Sequence, residues 1–318
     1  MGQGLAPPPF RRARRTRKAP QVVANVGGFC YHRSVPVANR PASYTPAAHW
    51  ILRIAAAMCF IGHGAFGIIT KPAWVPFFHA LGVSEATAFR LMPIVGANDV
   101  FMGTFVLLSP CRIALAWMVV WAVFTSYLRP LAGQGYWELI ERAGNYGVPL
   151  AFLVMSGWAR SWREWFEPIA PRPAAEPDSA RMASVAIVLR ITTALLLIGH
   201  GGYGAFMHKE MLASQYATVG LSGMPGGLGT LVPGIGWFEM VLGAAVLVAP
   251  IPALLLFIFA WKVATEMLYP VSGAPFWEFV ERGGSYGAPL ALFFLISRRA
   301  ARDPIGGGMK MAAREGVA

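Results

Sequence analysis

Apolar residues occupy this chain in long unbroken blocks, set apart by short polar or Gly/Pro-rich breaks, not at the three-to-four-residue spacing of a helix half covered by water. A bilayer core of about 30 Å takes about 20 helical residues to cross. On that measure eight windows predict crossing helices, near 48–69, 91–110, 113–129, 143–159, 183–206, 230–249, 251–270 and 283–297. The third, fourth and eighth are short, at 15 to 17 residues. Snorkelling of Arg129, Arg142, Arg160 and Arg298, or local thinning of the bilayer, accommodates them. The expected fold class is an all-α polytopic membrane protein with eight transmembrane helices.

The blocks repeat. "GYWELIERAGNYGVPLA" (135–151) and "PFWEFVERGGSYGAPLA" (275–291) are identical at 10 of 17 positions. Their offset of 140 also relates Pro93 to Pro233, Gly96 to Gly236, Gly103 to Gly243 and Pro110 to Pro250. "IGHGAFG" (61–67) returns as "IGHGGYG" (198–204) at an offset of 137, which places three added residues in the loop after the second copy's first helix. Four windows per copy is an even number, so both copies enter the membrane in the same direction. The expectation is two parallel four-helix-bundle repeats related by an axis along the membrane normal. The chain then divides into a basic tail 1–45, a first unit 46–159, a linker 160–182 rich in Pro, Arg and Glu, a second unit 183–298 and a basic tail 299–318.

Composition agrees: 56% of residues are apolar, and the 13% that are charged fall well below the roughly 25% of soluble domains. The net charge of +12 invites a nucleic-acid reading, but its distribution argues against one. With both termini inside, the inner segments carry 18 Lys/Arg and the outer loops 6, as the positive-inside rule requires. The excess is an orientation signal, and "RRARRTRK" (11–18) can also touch anionic lipid. Cys30, Cys59 and Cys111 form no CxxC pair, so neither a disulfide framework nor a dithiol site is expected. Residues 1–45 lack a signal-peptide apolar core and read as disordered.

Against that background the ionisable residues inside the windows stand out, because each costs about 2.5–3.5 kcal/mol on insertion scales. At about 1.5 Å per residue, His200, Glu239, Lys262 and Glu266 all fall between the midplane and the outer surface, where they can converge. Lys262 and Glu266 are four apart and share a helix face. The first unit has His63 and Asp99 at matching places, but Ala122 where the second has Lys262. The second unit is therefore favoured as the chemically active one. The histidines are open to three readings: structural hydrogen bonding, a quinone or proton-handling role, and metal ligation, the last weak because no ligand set has the right spacing. Asp99 and Glu239 divide evenly between structural pairing and function, and Lys262 with Glu266 reads first as a charge-neutralising pair. The repeated glycines Gly62, Gly64 and Gly67, with Gly199, Gly201 and Gly204, predict close helix approach. The Trp- and Tyr-bearing segments before the fourth and eighth windows read chiefly as interfacial anchors with local Glu–Arg bridges, and secondly as a lid over the cluster.

A unit whose first helix ends in His-Gly followed by a lysine, with an acid and glycines in the second helix, resembles the DoxX/DoxD-like membrane protein family. The matching residues are His63, Gly64, Lys71, Asp99 and Gly103, then His200, Gly201, Lys209, Glu239 and Gly243. The resemblance implies a prokaryotic inner-membrane helix bundle, in some members linked to sulfur-compound oxidation with quinone as acceptor and in others to soluble redox partners. Fold alone does not assign an activity. The leading expectation is a redox-linked membrane subunit with a quinone-type pocket, His200 as hydrogen-bond partner or proton acceptor, Glu239 as relay, and Lys262 with Glu266 as tuning pair. A small-solute or proton-coupled transporter and a non-catalytic assembly or anchoring protein are the rivals.

Overall fold

The computed structural model describes residues 43–173 and 177–297. The expectations for residues 1–42 and for the tail 299–318 lie outside the described residues. Regular structure among the described residues is helical: α1 Pro46–Ile68, α2 Val75–His79, α3 Glu85–Leu108, α4 Arg112–Leu131, α5 Tyr136–Glu141, α6 Ala143–Ser156, α7 Ser179–Ala205, α8 Glu210–Thr218, α9 Gly227–Val248, α10 Pro252–Val271, α11 Trp277–Glu281 and α12 Gly283–Ser297. Six of these (α1, α3, α4, α7, α9 and α10) are long and apolar enough to cross a membrane, and they mark a membrane-embedded protein. The third window is longer than expected, because α4 continues past Arg129 to Leu131 and reaches 20 residues. The helices α6 and α12 are only 14 and 15 residues long.

Local chemistry sets the helix ends. Thr45 accepts a hydrogen bond from the Ala48 N–H at 2.9 Å, and Pro46 takes the first helical position, where no N–H is needed. Thr45 thus belongs to the fold and not to a disordered tail, and so does Tyr44, whose hydroxyl donates to the Pro171 carbonyl at 2.5 Å. Arg53 of α1 donates to the last carbonyls of α3, Val106 at 3.2 Å, Leu107 at 2.8 Å and Leu108 at 2.6 Å. Arg190 of α7 does the same for Val246, Leu247 and Val248 of α9. Each guanidinium satisfies carbonyls that a helix C-terminus leaves unpaired and meets the negative end of its dipole.

Packing joins what the sequence divides. The helix α1 lies along α3 and α7 along α9, but α1 also packs on α11 and α12, and α7 on α5 and α6. One continuous core runs from Leu52, Met118 and Phe152 to Leu189, Leu197 and Leu292, so the two sequence halves share an interior. Glycines permit this. A Cβ on Gly144 of α6 would meet the Gly284 carbonyl carbon of α12 at 2.8 Å, so these helices cross backbone to backbone. Gly62 of α1 faces the Glu281 backbone, and Gly199 of α7 faces that of Glu141, which seats α11 on α1 and α5 on α7. The close-approach role read for the repeated glycines is the one they fill.

Candidate functional site

The helices α7, α9 and α10 bring the four second-half residues together. His200 Nδ1 lies 2.5 Å from Glu239 Oε2, Lys262 Nζ 3.7 Å from Glu239 Oε1 and 2.8 Å from Glu266 Oε1, and Arg282 Nε 3.1 Å from Glu266 Oε2. The indole N–H of Trp261 donates to Glu239 Oε1 at 2.8 Å. All four side chains are buried, and the chain of alternating charges leaves none of them alone. The expected convergence is met, and with it a sealed arrangement.

The first half differs at the same positions. His63 Nδ1 pairs with Asp99 Oδ2 at 2.8 Å, and the ring stacks on Trp74 at 4.4 Å between centroids. Asp99 is fully buried, whereas the His63 side chain keeps 19% of its surface. Ala122 and Ser126 stand where the other half has Lys262 and Glu266. Space is left open: a pocket of about 90 Å³ is walled by Trp74, Phe77, Phe78, Trp121 and Phe124 and edged by Thr125, Arg129, Arg142 and Asn145, with His63 at its side. A narrow recess of about 10 Å³ continues past His63 to Asp99, Cys59 and Ala122. The accessible histidine is therefore the first-half one, although the richer charge of the second half had favoured His200. The added Lys262 and Glu266 fill and neutralise the space that Ala122 and Ser126 leave.

A second chamber, of about 170 Å³ and strongly polar, adjoins this pocket and shares Trp74, Phe77, Arg129 and Arg142 with it. Its charges pair across the halves. Lys71 Nζ meets Glu278 at 2.5 Å and Lys209 meets Glu138, while Arg142 meets Glu281 at 3.3 Å. Tyr203 donates to Glu138 at 2.7 Å, and Arg282 holds Glu278 at 2.6 Å. The segments read chiefly as interfacial anchors are thus largely interior: Glu138, Glu141, Arg142, Glu278, Glu281 and Arg282 are all buried, and the Glu–Arg bridges run between halves as well as locally. Glu138 and Glu278 were missed as site residues; the repeated W-E-x-x-E-R pattern was the signal that pointed to them. Among the described residues no group of three or more His, Cys, Asp or Glu is placed to hold a metal ion.

The glutamates of α5 and α11 lie outside the six crossing helices. Burial by itself would raise the Glu138 carboxyl, but Arg142, Arg129 and Lys209 outweigh it and hold it down at about 2, against an ordinary 4.5. Glu281 is held to about 2 in the same way, burial being overcome by Arg142 and Arg282. Both carboxyls bind protons more weakly folded than unfolded, so their stabilisation is complete above the unfolded value and disappears as pH falls through the folded one. The unfolding midpoint in detergent is expected to be flat from about pH 7 to 5 and to drop between about pH 4.5 and 2. The double variant Glu138→Gln/Glu281→Gln should flatten that drop, and an unaltered acid limb in it would refute the assignment.

No protein-family model matches the chain, and neither a curated protein nor a solved structure matches it. Class is therefore set by the helices and the site: an all-helical, membrane-embedded protein with an apolar pocket beside a half-buried His63–Asp99 pair.

Proposed function

We propose that the chain is a DoxX/DoxD-like integral protein of a bacterial inner membrane that binds a quinone-type head group beside His63, as a subunit of a membrane oxidoreductase system fed by a soluble redox partner. In this reading it crosses the bilayer eight times, as two like-oriented four-helix repeats with both termini cytoplasmic. The short apolar helices α6 and α12, which begin where the fourth and eighth windows do, support the two further crossings across a locally thinned bilayer. The charge asymmetry of the loops supports the orientation.

The observation that carries the reading is the pocket. Its walls are aromatic, and its polar groups are few and convergent. It lies where α3 and α4 barely touch, with Val95 on one side and Phe124 on the other, so a lipophilic molecule can reach it from the bilayer. A quinone bound there would supply a two-electron, two-proton couple. Asp99 fixes the His63 ring through Nδ1, which leaves Nε2 as the ring atom free to hydrogen-bond a ligand oxygen and hold a proton. Trp74 holds the ring from its face. Arg129 and Arg142 separate the apolar pocket from the charged chamber, the water-accessible side from which a proton would come.

Decylubiquinone binding to the purified protein in detergent, followed by calorimetry, tests this. His63→Ala should weaken binding at least tenfold, whereas His200→Ala, in the sealed cluster, should leave the affinity within threefold, on the scale of about 1.4 kcal/mol for a lost hydrogen bond. Wild-type protein that binds no quinone and yields none on extraction would remove the reading. The transporter reading is favoured by one observation, the charged chamber against the pocket, and uptake into proteoliposomes without quinone binding would put it first.

A further inference from the structure

The two halves place a tryptophan at the same position and treat it differently. Trp261 donates its indole N–H to Glu239, whose other oxygen holds His200. Trp121, 140 residues earlier, has a buried Nε1 with no partner among the described residues. The cause is one methylene. Glu239 spans from His200 to Trp261, while the shorter Asp99 uses Oδ2 on His63 and has its Oδ1 beside Asn98 Nδ2 at 3.4 Å. Buried donors without acceptors are rare and costly, and an unpaired one in the wall of a pocket marks where a ligand acceptor belongs. Trp121 lines both the apolar pocket and the narrow recess that runs from it to Asp99.

From this difference, and resting on the reading of the pocket just given, we infer that the chain binds one quinone-class ligand and not two, and that the indole N–H of Trp121 donates to a carbonyl oxygen of that ligand while His63 takes a second polar point. The ligand class follows from the site: a planar ring with exocyclic oxygen acceptors, carried on an apolar tail that leaves between α3 and α4. In the second half these requirements fail: Trp261 is already satisfied by Glu239, and Lys262 occupies the place of Ala122. The duplicated half is a brace for the site in the other.

Decylubiquinone titration by calorimetry should give one molecule per chain. Trp121→Phe should weaken binding about tenfold, the loss expected for one buried hydrogen bond, whereas Trp261→Phe should stay within threefold of wild type. Asp99→Glu keeps the histidine partner and lengthens the arm, so the carboxylate should capture Trp121 as Glu239 captures Trp261, and affinity should fall as in Trp121→Phe. Decylbenzene, which has the tail and ring but no oxygen, should bind wild type and Trp121→Phe alike. In ¹⁵N-tryptophan spectra the indole resonance absent from Trp121→Phe should move downfield on titration. A stoichiometry of two, or quinone binding undiminished in Trp121→Phe with its indole resonance unmoved in wild type, overturns the inference and leaves the pocket reading standing. Wild-type protein that binds no quinone overturns both.

Discussion

Arg142→Ala weakens the bundle by about 3–5 kcal/mol, the scale on which stripping one partner from a buried ion pair leaves the other charged and unsolvated. Arg142 sits between the halves. Its Nη1 is 3.3 Å from Glu281, and the field of Glu141 and Glu138 reinforces its charge. With the guanidinium gone, Glu281 keeps, among the described residues, only Arg282 as an ion-pair partner, at 3.5 Å, and that cation already serves Glu278 and Glu266. Equilibrium unfolding in mixed micelles is the measurement, with the exposed Arg90→Ala as control, for which a change within about 0.5 kcal/mol is expected. Arg142→Met combined with Glu281→Leu should recover much of the loss, because an apolar pair of similar volume avoids the desolvation cost that the ion pair carries. A loss below about 1 kcal/mol for Arg142→Ala would show that the cross-half network does not hold the halves together.

Gly199→Ala is the second large effect, and its origin is steric. An added Cβ would lie 2.2 Å from the Glu141 amide nitrogen and 2.5 Å from its Cα, both backbone atoms of α5. Gly62→Ala meets the backbone of Glu281 in α11 at 2.3 Å. Backbone cannot rotate aside as a side chain does, so α5 or α11 must lift from its partner helix, taking the glutamates of the charged chamber with it. Each substitution is expected to cost about 1–3 kcal/mol or more, the range of overpacking in a filled interior. Gly234→Ala in α9 is the control, since nothing lies within 4 Å of its added Cβ and alanine favours a helix by up to about 1 kcal/mol. If Gly199→Ala and Gly234→Ala unfold together, the close approach of α5 to α7 is wrong.

Much of the architecture is readable one residue at a time. The windows starting at 143 and 283 begin where α6 and α12 do, because Gly-rich and Pro-bearing apolar runs follow a charged break. The pairing of His63 with Asp99 and of His200 with Glu239 is legible too, since hydropathy limits depth and helical rise converts position into depth. What escapes this arithmetic is partner choice at long range. Arg142 and Glu281 lie 139 residues apart, and each has a nearer opposite charge to pair with in the sequence. The local Glu–Arg bridge is the economical guess on paper. The glycine contacts that press α11 onto α1 make the distant pair the available one.

The apolar blocks, the recurring motifs and the approach of His200, Glu239, Lys262 and Glu266 to one another follow from the sequence alone, since each depends on composition and spacing along a helix. Which half keeps room for a ligand, and which spends its polar groups on one another, was decided only in three dimensions. There a carboxylate shorter by one methylene leaves an indole unanswered beside His63, and a lysine in place of an alanine closes the equivalent space beside His200. Sequence names those differences, but their meaning depends on which atoms the folded helices bring within reach.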